Sequence, residues 1–110
     1  MRVWDVPPKK LCKNHLLGEH REIHAIWSIL TKKKKGYSMH PETKRWAGKL
    51  SALYLRHEKL VIEMKNRRYS HKSPLEKKLA NGKTVQNEFV NTLKEQLDIL
   101  KMKNCKCQTR

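Results

Sequence analysis

The sequence predicts an all-α fold: a compact single-domain bundle of three main helices behind an extended N-terminal arm. Apolar residues recur at three- and four-residue spacing in three separate stretches, the alternation of a strand persists nowhere, and proline or glycine stands near the boundaries between stretches. A chain of 110 residues suffices for one core of modest size, and no internal repeat is visible.

Residues 1–10 read as the arm, because Pro7-Pro8 cannot lie inside a helix. The first helix is expected over about 12–30, with Leu16, Ile23, Trp27 and Leu30 as its apolar stripe and Ile26 alongside. Glu19 and His20 interrupt that stripe, so each needs a partner. A basic loop, Lys32-Lys33-Lys34-Lys35-Gly36, follows.

Pro41 suits a first helical position, and Glu42 complements the positive end of the helix dipole. The second helix is expected over 41–68, burying Trp46, Leu50, Leu53, Leu60 and Met64. His57 falls in the same stripe, with Glu19 as its candidate partner. Ser73-Pro74 marks a boundary, a short helical turn follows, and Asn81-Gly82 breaks the chain again. The last helix is expected over 86–103, carrying Phe89, Leu93, Leu97 and Leu100, with a frayed tail over 104–110.

The balance of 26 Lys and Arg against 10 Asp and Glu gives a formal charge of +16. Self-repulsion of that size calls for a polyanionic partner. Nucleic acid is the first expectation, since neutralising phosphates releases counterions without special geometry. No apolar run approaches the roughly 18 residues of a membrane span, and no signal-peptide core follows Met1. Three cysteines, two of them in Cys105-Lys106-Cys107, do not form a disulfide framework, which points to the reducing cytoplasm.

The stretch His15-Leu16-Leu17-Gly18-Glu19-His20-Arg21-Glu22 holds the densest chemistry. On a helix His15, Glu19 and Glu22 fall within an arc of about 60°, with Arg21 on a neighbouring face. Three readings fit that face: solvated ion pairs, a metal-ligand set, and acid–base or covalent chemistry near a free α-amine. No second His/Cys cluster of zinc-like spacing supports the metal reading, so no metal site is expected. Lys32–Lys35, Lys44, Arg45, Lys49, Arg56, Arg67 and Arg68 are candidate phosphate contacts, Lys33, Lys34, Lys44, Arg45 and Arg56 foremost. Tyr37 is a candidate for stacking on a base; Trp4, Trp27 and Trp46 are expected in the core.

The pattern Met1-Arg2, Leu11, Asn14-His15-Leu16-Leu17 and Glu19-His20-Arg21-Glu22 resembles the pyrimidine dimer DNA glycosylases of the phage endonuclease V type. The arm Met1-Arg2-Val3-Trp4-Asp5-Val6-Pro7-Pro8 and the segment His40-Pro41-Glu42-Thr43 are similar to the cellular microbial branch of that family. Leu55-Arg56-His57-Glu58 through Arg68-Tyr69, and Ser73-Pro74-Leu75, extend the likeness over roughly residues 1–75. The resemblance implies a helical bundle that cuts the glycosidic bond of a cyclobutane pyrimidine dimer and then breaks the strand at the abasic site.

By the same resemblance the nucleophile is the α-amine of Met1 and the assisting carboxylate is Glu22. Arg2, Asn14, His15 and Arg21 are implied to bind or position substrate, with Glu19 and His57 supporting. No cofactor is implied; the partner is double-stranded DNA carrying pyrimidine dimers or abasic sites, met by a monomer. Departures are Ala25 where the phage pattern has a second arginine, a bulky Arg2 after the first methionine, and no counterpart of the phage aromatic tail. The rival reading is a non-enzymatic basic helical protein that binds nucleic acid by charge; a metal-dependent nuclease ranks behind it.

Overall fold

The computed structural model describes residues 2–33, 36, 39–71, 74–103 and 107. Among these the fold is all-helical with no strand: α1 (Lys13–Thr31), α2 (Pro41–Lys44), α3 (Leu50–Asn66) and α4 (Leu93–Met102), plus 3-10 turns at Pro8–Lys10 and Lys77–Leu79. The expected class holds, and α1, α3 and α4 are its main helices.

The core lies where α1 packs on α3. Leu16, Ile23, Ile26 and Trp27 of α1 meet Leu53, Leu60 and Met64 of α3, all buried. The arm is part of this core. Val3, Trp4 and Val6 are buried, and the arm ends in the 3-10 turn that Pro8 opens. Arg67, just past α3, donates to the carbonyl of Leu11 at 2.6 Å, tying the arm's end to that helix.

The expected helix over 41–68 is two helices. Pro41 starts α2, and the His40 Nδ1 accepts from the Glu42 amide at 3.1 Å. The path then turns at Gly48, whose φ of +73° favours glycine. This break gives α3 a fresh N-terminus, whose first amides have no partner within the helix. Ser51 N–H donates to the Asn81 carbonyl at 2.7 Å and Ala52 N–H to the Lys83 carbonyl at 3.1 Å. The Asn81-Gly82 breaker is therefore the backbone cap of α3. A Cβ on Gly82 would stand 2.1 Å from the Gly48 carbonyl oxygen, so position 82 has no room for a side chain.

The last helix begins at Leu93, not 86, because Thr92 and Glu95 form a reciprocal capping box there. Phe89, expected on that helix, precedes it, and both Phe89 and Leu93 are 46 % exposed. They line a mostly apolar groove of about 580 Å³ with Leu55 and Ile62. The tail expected to be frayed is anchored at its described residue: Cys107 packs against the core, and its Sγ accepts from the Cys12 amide at 3.0 Å. No helix among the described residues is long and apolar enough to cross a membrane.

Candidate active site

One face of α1 and the start of the arm enclose a polar cleft of about 420 Å³. Arg2, Trp4, Asn14, His15, Gly18, Glu19 and Glu22 line it, with Ile99 and Lys103 as the wall contributed by α4 and its end. The helical arithmetic that grouped His15, Glu19 and Glu22 is thus realised as the lining of a cavity. The larger apolar groove beside α3 is a weaker candidate: its Arg56 is committed to Glu19, and its Asp5 to Arg45 and Gln96.

Glu19 forms the cleft floor. Its carboxylate is buried and accepts from Arg56 Nε at 2.6 Å, from Arg56 Nη2 at 3.0 Å and from the Trp4 amide at 3.0 Å. Burial pushes the Glu19 carboxyl above the usual carboxylate range, against the pull of Arg56 and the Trp4 amide. With its acceptors occupied, Glu19 holds the arm against α1. Glu22 lies one turn further on, half-buried, and its carboxylate has no ion-pair partner among the described residues.

Arg2 spans the cleft mouth, donating to Asn91 Oδ1 at 2.9 Å and lying 4.9 Å from the Trp4 ring centroid. Asn14 is exposed and also lines the cleft. His15 stands edge-on to Trp4, and its Nδ1 lies 3.1 Å from Cys12 Sγ and 3.2 Å from Cys107 Sγ. Burial, helped by the charge of Lys103, lowers the His15 pKa and so favours the neutral ring. Gly18 sits mid-helix, where a Cβ would meet nothing within 4 Å. Mid-helix glycine costs about 1 kcal/mol relative to alanine, and here it leaves open space facing the cleft.

The remaining expected site residues lie elsewhere. Arg21 is exposed and outside the cleft lining, as are Lys33 and Lys44. Met1, Lys34, Tyr37 and Cys105 lie outside the described residues.

Arg45, expected as a phosphate contact, is only 5 % exposed and is consumed internally. It pairs with Glu42 at 2.6 Å and Asp5 at 3.1 Å, and it donates to the Val3 carbonyl at 2.8 Å. Arg56 is likewise committed, to Glu19 and to the Val6 carbonyl at 2.9 Å. Lys49 is buried against Gln86 and Glu88, and Arg67 pairs with Glu63 at 2.7 Å. In a chain with so few carboxylates, each buried one recruits a cation and takes it off the surface.

His57 does not pair with Glu19. Its Nε2 lies 3.1 Å from His20 Nε2, and its Nδ1 lies 3.0 Å from Glu58 Oε1. Burial and the neighbouring His57, His24 and His71 push His20 down to about 4.

Trp4, Gly18, Ile99 and Lys103 are cleft residues that the spacing analysis missed. Only Gly18 carries a signal in sequence, as a glycine inside a strong helical stripe. The fold also assembles two groups of metal-type side chains that sequence spacing did not single out. Cys12, His15 and Cys107 come together, as do His20, His24 and His57.

A family model described as pyrimidine dimer DNA glycosylase matches residues 1–77. No curated protein and no solved structure matches the chain.

Proposed function

Because this chain belongs to the pyrimidine dimer DNA glycosylase family, we propose that it excises UV-induced cyclobutane pyrimidine dimers from double-stranded DNA and nicks the strand at the abasic site. The observation that carries this reading is the cleft in which Glu22, Asn14 and His15 of α1 face Arg2 of the arm, one residue after Met1.

An α-amine titrates near 7.7–8.0, so a useful fraction is neutral and nucleophilic at physiological pH, as a lysine is not. The Met1 nitrogen attacks the sugar C1′ of the 5′ pyrimidine as the glycosidic bond breaks and the base departs with its electron pair. Loss of the amine proton and opening of the sugar ring give a protonated Schiff base. Glu22 stabilises positive charge on the sugar, then takes the C2′ proton so that the 3′ phosphate leaves by β-elimination. Arg2, Asn14 and Lys103 are the cleft groups suited to hold the flanking phosphates. Access requires a nucleotide to leave the stack, and a dimer lowers that cost because it already disturbs pairing.

The test is reductive trapping. The full chain, without an N-terminal tag, is incubated with a dimer-containing duplex and borohydride beside an undamaged duplex. A lesion-dependent covalent adduct mapping to Met1 is expected, and acetylating the terminus should abolish it. Salt-sensitive binding with no adduct and no nick would replace this reading with that of a plain nucleic-acid binder.

A further inference from the structure

We propose that His20, His24, His57 and His71 form a binding site for a divalent transition-metal ion of the zinc type. Two of these residues come from α1, one from α3 and one from the segment after α3. The Nε2 of His20 lies 3.1 Å from the Nε2 of His57 and 3.1 Å from the Nε2 of His71. His24 completes the group: its ring centroid is 4.7 Å from that of His20 and 5.1 Å from that of His57. One ligand atom each from His20, His24 and His57 fits within 4.8 Å.

Hydrogen bonding alone serves this arrangement poorly. A neutral imidazole nitrogen offers one proton or one lone pair, not one for each of two neighbours. Glu58 Oε1, 3.0 Å from His57 Nδ1, is an acceptor, so the His57 proton belongs on Nδ1 and the Nε2 lone pair points into the cluster. A carboxylate behind a ligating histidine is the usual outer partner of a metal-bound imidazole. A cation at the centre accepts lone pairs from all the rings together. In tetrahedral zinc, with bonds of about 2.0–2.1 Å, nitrogen ligands stand about 3.3 Å apart, close to the observed spacing. Imidazole sets of this kind suit zinc, copper, nickel and iron.

His20 and His24 lie about 100° or more around α1 from Glu19, so the ion sits away from the polar cleft. His20, His24 and His57 form the set whose ligand atoms all lie within 4.8 Å of one another, and His71, 3.1 Å from His20, is the proposed fourth ligand; with it bound the ion would have no open position, making it a structural staple and not a Lewis acid. It would fasten the segment around His71 to both core helices. The assignment goes beyond the glycosylase reading and stands without it.

The test uses the 110-residue chain purified without a histidine tag, stripped by chelator and titrated with Co²⁺ and Zn²⁺. Wild type should bind one equivalent of Co²⁺ with tetrahedral d–d bands, and Zn²⁺ should raise Tm by about 5 °C or more. His24→Gln and His71→Gln should each weaken binding at least tenfold, while the double variant Cys12→Ser/Cys107→Ser keeps the site. The serine variant also removes any thiolate-to-cobalt band from the neighbouring cysteine cluster. Unchanged Tm with no bound metal would overturn the proposal. So would cobalt binding that survives both histidine variants and vanishes in the serine variant.

Discussion

Arg56 grips Glu19 with two nitrogens, at 2.6 and 3.0 Å, across the interface between α1 and α3. The same carboxylate receives the Trp4 amide, so one buried ion pair joins two helices and the arm. Removing the cation leaves that carboxylate in a place built for a partner.

Arg56→Met should therefore destabilise the fold by about 3–5 kcal/mol, read from denaturant midpoints. The loss should deepen with rising pH. The Glu19 pKa is already raised above 4.5 by burial, and the variant removes the main force opposing that. A folded pKa above the unfolded one favours folding below about 4.5, and the advantage is lost as pH rises through the folded value. A variant whose stability does not change between pH 4.5 and 8 would contradict the role given to the pair.

Glu22→Gln should leave the fold and DNA affinity nearly unchanged, because the Glu22 carboxylate has no ion-pair partner among the described residues to lose. Turnover on a dimer substrate should fall by about 10²–10⁴, the usual worth of a positioned general acid–base group. Single-turnover nicking, with binding measured separately, reads the difference. Near-normal nicking would remove Glu22 from its assigned role.

Salt dependence separates surface cations from internal ones. Lys33→Ala and Lys44→Ala, both at exposed positions, should each lower the slope of log K against log salt by about 1. Arg45→Met should change stability instead and leave the slope alone, because its guanidinium faces Asp5, Glu42 and the arm. A reduced slope for Arg45→Met in folded protein would return it to the DNA surface.

The helix class and most of the core were legible because they rest on local periodicity. Leu16, Ile23, Trp27, Leu53 and Leu60 fall where a 3.6-residue repeat puts them. The His15, Glu19 and Glu22 face was legible for the same reason, since three residues of one helix share an angle wherever that helix docks. Pairings between distant segments were not. Nothing in the spacing tells Arg56 from Lys44, yet one lies against Glu19 and the other faces solvent. His20 and His24 stand at a ligand-like spacing of four. Their meeting with His57 and His71 depends on the register between α1 and α3, which composition does not encode. The break at Gly48 was hidden too, because its reason is a cap supplied by residues 81–83.

Residues beyond the family match at 77 build much of what surrounds the chemistry. Asn91 holds Arg2, and Gln96 accepts from the Asp5 amide at 2.7 Å and donates to its carboxylate at 2.9 Å. Ile99 and Lys103 line the same cleft as Glu22. The carboxylate that the proposed function makes reactive thus lies inside the family match, and Ile99 and Lys103, which line the same cleft, lie beyond it. Under that proposal the first acts on the bond that is broken. The second would then set the room left for the damaged strand, so on the proposed function breadth of lesion choice is a trait this architecture can alter without rebuilding its chemistry.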